Sequence, residues 1–191
     1  MSESTTSAEF FEKKYRENQD PWDFARSEYE RSRYDAIITA LGMQRYERAF
    51  EPGCSVGELT WRLATRCGHL DAMDITSIAI ERARHRCSEL SNVTFHVGGL
   101  PHQIPKGMSD LIVFSEIGYY FDEASLQRLG NALISRIRTS GTLLAAHWLG
   151  TSKDHLLSGD RVHEILEELD GLRLEHSERH AGFRLDRWMR I

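Results

Sequence analysis

The segment Ala49-Phe-Glu-Pro-Gly-Cys-Ser-Val-Gly-Glu-Leu-Thr-Trp-Arg-Leu63 gives the chain its bearings. Apolar residues lead into the acidic Glu51, Gly53 and Gly57 follow four apart, and Val56, Leu59, Leu63 and Ala64 then recur at helical spacing. Gly53 to Gly57 is therefore read as the turn from a strand into a helix. Such a turn leaves backbone N–H groups unpaired at the helix start and lets a ligand approach where no Cβ stands in the way. Glu51 places a negative charge beside it, which repels a phosphate and holds an ammonium group. The ligand expected here is a cation.

The dinucleotide fingerprint G-x-G-x-x-G uses its second glycine to admit the pyrophosphate and its third for helix packing, and those places hold Ser55 and Glu58. A nicotinamide-dependent oxidoreductase is disfavoured on that ground. Glu51-Pro-Gly53-Cys-Ser55-Val-Gly57 instead resembles motif I, E/D-x-G-x-G-x-G, of the class I S-adenosylmethionine (SAM) methyltransferases, with Ser55 in place of the middle glycine.

Outward from this turn, strand and helix patterns alternate with short links, as in a parallel sheet with helices on both faces. Strands are expected at 48–52, 69–75, 93–97, 110–115 and 142–148, and helices at 56–67, 78–90, 123–138 and 159–169. The last residues, 172–180 and 183–191, read as a hairpin about Ala181-Gly182. Ahead of the sheet, helices at 8–18 and 27–41 are separated by Asp20-Pro21-Trp22, because proline drives its predecessor out of the helical region. The expected fold is one α/β domain with a seven-stranded, mostly parallel, Rossmann-like sheet and an antiparallel C-terminal hairpin. Within it, residues 1–42 form an N-terminal helical cap or lid, and 43–191 the SAM-binding methyltransferase part.

Composition bounds the function. At 191 residues the chain can bury a substantial core. Its net charge of −5, with arginines interleaved among acids, gives no support for nucleic-acid binding. Cys54, Cys67 and Cys87 are an odd set without ligand spacing and read as reduced thiols in the cytoplasm. The polar start, Met1-Ser-Glu-Ser-Thr-Thr-Ser-Ala8, is not a signal peptide, and no apolar run approaches the roughly 18 residues of a membrane span. The histidines show no metal-ligand spacing, so no metal is expected. Oligomeric state is left open.

Ligands in open α/β sheets bind beyond the carboxyl ends of the strands. Asp74 ends the second strand, where a carboxylate can take both ribose hydroxyls, and Ile75 would pack on the adenine. After the third strand the methyltransferase pattern usually has an Asp for the adenine amino group. Here Val97-Gly98-Gly99-Leu100 follows, so that contact is absent or made by the backbone at Gly99 and Leu100. The fourth strand ends in Ser115-Glu116-Ile117-Gly118-Tyr119-Tyr120, matching motif IV, whose residues lie beside the sulfonium and the acceptor. Glu116 can orient an amine or take its proton. One of Tyr119 and Tyr120 offers the acceptor a wall or a hydroxyl while the other is core. The fifth strand ends in His147-Trp148. Trp148 is a flat platform for a sugar ring, and His147 is either a general base or a buried imidazole with a satisfied hydrogen bond.

Together Asp20-Pro-Trp-Asp-Phe, Tyr29-Glu-Arg-Ser-Arg-Tyr34, Glu51–Thr60, Ser115-Glu116, His147-Trp148 and Ser158-Gly-Asp-Arg-Val-His-Glu164 resemble the nodulation N-methyltransferases (NodS-like), over nearly the whole chain. The resemblance implies SAM as cofactor, with S-adenosylhomocysteine as product, and as acceptor the free amine of a partly deacetylated chitooligosaccharide, the backbone of rhizobial nodulation signals. It also implies that Trp22 and Arg33 cap the cofactor's methionine end, with Arg33 on its carboxylate. Another amine or hydroxyl acceptor, or a SAM-binding regulator without catalysis, stands as the alternative.

Overall fold

The computed structural model describes residues 6–24 and 26–191; the polar start at Met1–Thr5 lies outside them. The strands are β1 (Tyr46–Pro52), β2 (Cys67–Asp74), β3 (Val93–Val97), β4 (Ser109–Ser115), β5 (Ile137–Trp148), β6 (Leu172–Arg179) and β7 (Phe183–Arg190). They form one sheet in the order β3-β2-β1-β4-β5-β7-β6. The helices are α1 (Ala8–Glu17), α2 (Glu28–Ala40), α3 (Glu58–Ala64), α4 (Ser77–Arg86), α5 (Glu123–Ile134) and α6 (Gly159–Glu167), with a 3₁₀ turn at Gly118–Tyr120. Among the described residues no helix is long and apolar enough to cross a membrane.

The chain divides into two units, Ser7–Lys106 and Gly107–Ile191, the second including Thr6. In the first, β1 and β3 each pair parallel with β2, with Glu51 opposite Ala72 and Asp74 opposite Val97. Leu70, Ala72 and Met73 of β2 are buried, and so is Asp71 among them, whose carboxylate is held by Arg48 and His96. Each helix starts where a short polar side chain can accept from its first turn: Ser7 from the N–H of Phe10, Ser27 from Glu30, and Thr76 from Ala79. The exception is α3, which begins at Gly57 in the left-handed region with no side-chain cap.

In the second unit β4 pairs parallel with β5, and β5 then pairs antiparallel with β7, which closes the hairpin with β6. Leu111, Ile112, Val113 and Phe114 are wholly buried, as are Leu143, Leu144, Ala145 and Ala146 of the neighbouring strand. Strand β5 starts five residues before its expected position, at Ile137, because Ile137 pairs with Ser109 and the register then slips before Leu111 meets Thr142. Gly141 lies in this irregular stretch. A Cβ there would stand 2.8 Å from the Arg138 carbonyl and 3.2 Å from that of Asp110, so the bend admits only glycine. Helix α5 correspondingly stops at Ile134, short of the expected 138.

Candidate active site

The glycine turn is built almost entirely from backbone. Gly53, Ser55 and Gly57 all adopt positive φ, at 76°, 49° and 83°. The N–H groups of Gly53 and Cys54 both donate to the Met73 carbonyl, at 2.7 and 2.9 Å, fastening the turn to the end of β2. Ser55 N–H donates to Asp74 Oδ2 at 3.0 Å, while Asp74 Oδ1 accepts from the N–H and hydroxyl of Thr76. A carboxylate has about four acceptor positions, so Asp74 is oriented by these bonds with capacity left for a ligand hydroxyl. A Cβ on Gly57 would lie 3.0 Å from Ala83, so this glycine also sets the distance between α3 and α4.

Two buried carboxylates flank the turn. Glu51 accepts from the Thr60 hydroxyl at 2.6 Å and is 3% exposed. Burial pushes its pKa to about 8, against the Thr60 bond and helped by the charge of Asp74. Burial lifts Asp74 to about 6, against the hydrogen bonds from Thr76 and Ser55. A cation placed beside these groups would recover the charged form that burial disfavours. Beyond them, a Cβ on Gly99 would meet Ile75 at 3.7 Å, so the Ile75 side chain faces the Gly98–Leu100 backbone directly. The Gly99 N–H donates to the Gln103 side chain at 2.7 Å.

The N-terminal segment is fastened to the same unit. The Tyr15 hydroxyl and Ser55 Oγ are 2.5 Å apart, and the Arg82 guanidinium donates to the carbonyls of Tyr15, Asn18 and Gln19. Trp22 stacks on Phe24 and meets Tyr15 edge-on, both with centroids 5.5 Å apart, in a cluster that includes Val56 of the turn. Arg33 is buried, ion-paired with the equally buried Glu30, and lies over the Phe24 ring at 5.9 Å.

In the Gly107–Ile191 unit, Glu116 follows the buried Ser115 in the left-handed region, with φ 61°. That is a costly conformation for a glutamate. It turns the carboxylate back, so that one oxygen accepts from the Tyr119 hydroxyl at 2.6 Å and the other from the Trp148 backbone N–H at 2.7 Å. The Trp148 indole lies against Gly150, where a Cβ would come within 1.9 Å of it. Tyr119 and Tyr120 are both buried, 5.0 Å apart edge-on.

His147 is wholly buried and both its nitrogens are engaged. Nε2 accepts from the Gly118 N–H at 3.0 Å, so Nδ1 carries the proton and donates to His163 Nε2 at 3.2 Å. His163 Nδ1 in turn donates to Asp186 Oδ2 at 2.7 Å, and Arg184 Nε lies 2.7 Å from the same oxygen. Burial pushes the His163 pKa down against the pull of Asp186, and the neutral imidazole is the form this chain of donors requires. His147 is thus a support beneath Gly118, and neither lone pair nor proton is left for a substrate. The alternative of a satisfied, buried imidazole is the one that the geometry favours.

Glu51, Gly53, Ser55, Gly57 and Asp74 therefore converge at one turn, and Glu116, Tyr119, Tyr120 and Trp148 at another. Sequence reading passed over Tyr15, Gln103, His155, His163 and Asp186. A helical Tyr, a loop Gln and isolated histidines carry no local signal; only folding brings them to these places. Among the described residues no cluster of His, Cys, Asp and Glu could hold a metal.

Known proteins match along most of the chain. The family model for nodulation protein S (NodS) matches residues 5–168. Nodulation protein S of Rhizobium tropici is 27% identical over 158 residues, which cover 78% of this chain and 65% of the relative. That of Bradyrhizobium diazoefficiens is 30% identical over 142 residues, covering 72% and 65%. The matched part thus spans just under two thirds of the length of these curated relatives. Among solved structures, a candidate methyltransferase of Pseudomonas syringae is 39% identical, with a TM-score of 0.76 over 85% of this chain and 99% of that one. The N-methyltransferase NodS of Bradyrhizobium japonicum WM9, solved with S-adenosylhomocysteine, is 22% identical but shares the fold, with a TM-score of 0.84 over 96% and 97%. The chain described here belongs to the nodulation protein S (NodS) family.

Proposed function

We propose that this protein is a SAM-dependent N-methyltransferase acting on the free amine of a partly deacetylated chitooligosaccharide, in the making of a nodulation signal. The observation that carries the reading is the pair of buried carboxylates, Glu51 and Asp74, at the glycine turn, where a bound cation would recover the charge that burial disfavours. Family membership supports the same reaction. When bound, SAM supplies an electrophilic methyl group and a cationic sulfonium. Asp74 would accept from the ribose hydroxyls, and Glu51 adds negative charge beside the turn. Ile75, with the backbone at Gly99 and Leu100, would flank the adenine. Ser115 would line the sulfonium end, Arg33 would hold the methionine carboxylate, and Trp22 would cover it. The N-terminal segment, clasped by Arg82 and latched at Ser55, would shield the reacting groups from water. Glu116, fixed by Tyr119 and Trp148, would orient the acceptor amine, while Tyr120 and the Trp148 indole form its wall. Most of the acceleration is positioning of two bound partners.

The test is a labelled-SAM assay across chitooligosaccharides with and without one free terminal amine, paired with calorimetry. We expect SAM to bind at roughly micromolar level, about −8 kcal/mol. Label should enter only the free-amine sugar, and Asp74→Ala should abolish binding. Unchanged SAM affinity in Asp74→Ala would overturn the cofactor site. Transfer to an unrelated amine or hydroxyl with none to the sugar would overturn the acceptor.

A further inference from the structure

The wall beside Glu116 holds an imidazole to which no role has been given. His155 lies parallel to the Tyr119 ring, with centroids 3.7 Å apart and planes within 14°. It meets Tyr120 edge-on at 5.2 Å and Trp148 at 6.0 Å. Its loop is held in place: the N–H groups of Leu156 and Leu157 both donate to the Tyr119 carbonyl, at 2.8 and 3.3 Å, and that of His155 to Ser152. Tyr119 is therefore gripped twice, by Glu116 at its hydroxyl and by His155 on its face.

The titratable groups here differ in what they have left to give. Both nitrogens of His147 are taken by Gly118 and His163. Each oxygen of Glu116 accepts one donor, from Tyr119 or Trp148, and the remaining acceptor positions are the ones that would orient the amine. Among the described residues, neither ring nitrogen of His155 has a hydrogen-bond partner, and the ring is only half-buried. The groups facing it are Tyr119, Tyr120 and Trp148, with Asp154 beside it in the loop. Its partial burial pushes the pKa down, opposed by the charge of Asp154, so near pH 7 it is neutral and has one nitrogen lone pair.

We propose that His155 is the group that takes the proton released by the acceptor amine. The inference rests on the methyl-transfer reading above. As the amine nitrogen forms its bond to the methyl carbon, the carbon–sulfur bond breaks and its electron pair stays on sulfur. The nitrogen's proton passes to the unprotonated ring nitrogen of His155, and the half-exposed imidazolium returns it to solvent. No other reactant is needed.

His155→Phe keeps a flat ring against Tyr119 and removes the base. In a SAM assay with a chitopentaose bearing one free terminal amine, kcat should fall by about 100-fold, with S-adenosylhomocysteine affinity unchanged. The acid-side decline of wild-type kcat should be reduced in the variant to the titration of the acceptor amine itself, and added imidazole should restore part of the rate in His155→Ala. Independently of turnover, the His155 ring resonances should shift when the free-amine sugar is added with S-adenosylhomocysteine, and stay in place with the fully acetylated sugar. Wild-type kcat and pH profile in His155→Phe, or resonances indifferent to the amine, would overturn the role of His155 while leaving the methyltransferase intact. Wild-type protein that methylates no sugar amine would overturn the acceptor reading and this inference with it.

Discussion

Asp74 and His147 each lie at the carboxyl end of a strand, are buried, and are held by protein donors, yet they are held in opposite ways. The partners of Asp74 are Ser55, in the glycine turn, and Thr76, two residues on. The partners of His147 are Gly118 and His163, and behind His163 stands Asp186 of the last strand. One end is fixed by several donors on two oxygens, the other by a relay that crosses three separate elements with one partner at each imidazole nitrogen. Removing a partner should therefore hurt the second end more, because Asp74 keeps other donors when one is lost and a relay nitrogen does not.

The largest effect is expected at the middle of that relay. His163→Phe leaves the His147 Nδ1–H without an acceptor and strips Asp186 of its imidazole, with Arg184 and Ser177 left to it. Both groups are fully buried, so the loss should be about 3 kcal/mol, read from urea unfolding midpoints. A loss well under 1 kcal/mol would show that water or a rotated side chain can replace the histidine, and the contrast between the two strand ends would collapse. At the Asp74 end, Thr76→Val removes one donor to Asp74 and the cap of α4, and should cost about 1.5 kcal/mol by the same measurement.

How much was legible follows the same division. Gly53, Ser55, Gly57 and Asp74 were readable because backbone geometry demands those residue types at that spacing, and the parallel strands announced themselves as buried apolar runs such as Leu111–Phe114. His147 was readable as a position but not as a role. How its two nitrogens are engaged depends on Gly118, His163 and Asp186, which lie on three other elements. His155 was invisible for the converse reason: a lone loop histidine gains meaning only once Leu156 and Leu157 bind the Tyr119 carbonyl. The early start of β5 leaves no mark in the sequence, because the strand bends at Gly141 and pairs again beyond it.

The smallest effect separates the two ends by pH. Glu51 is raised to about 8 and Asp74 to about 6 by burial, so the folded protein holds their protons more tightly than the unfolded chain does. Their contribution is full below the ordinary carboxylate range and is lost as pH rises through about 6 and then about 8. Asp186 and His163 behave conversely. Asp186 is held below its usual range by His163 and Arg184 despite burial, and His163 is pushed down by burial, so their contribution is present near neutral pH and lost on acidification. Cofactor-free protein should therefore lose about 1 kcal/mol between pH 7 and pH 8 from Glu51, and Glu51→Gln should flatten this alkaline arm without changing the acid one. His163→Phe should do the reverse. Saturating SAM should also flatten the alkaline arm, since a cation beside Glu51 favours its charged form. Thermal unfolding across pH 5 to 9 distinguishes these cases. An alkaline arm that survives Glu51→Gln would place the titrating group elsewhere and remove the electrostatic ground for a cationic ligand at the turn.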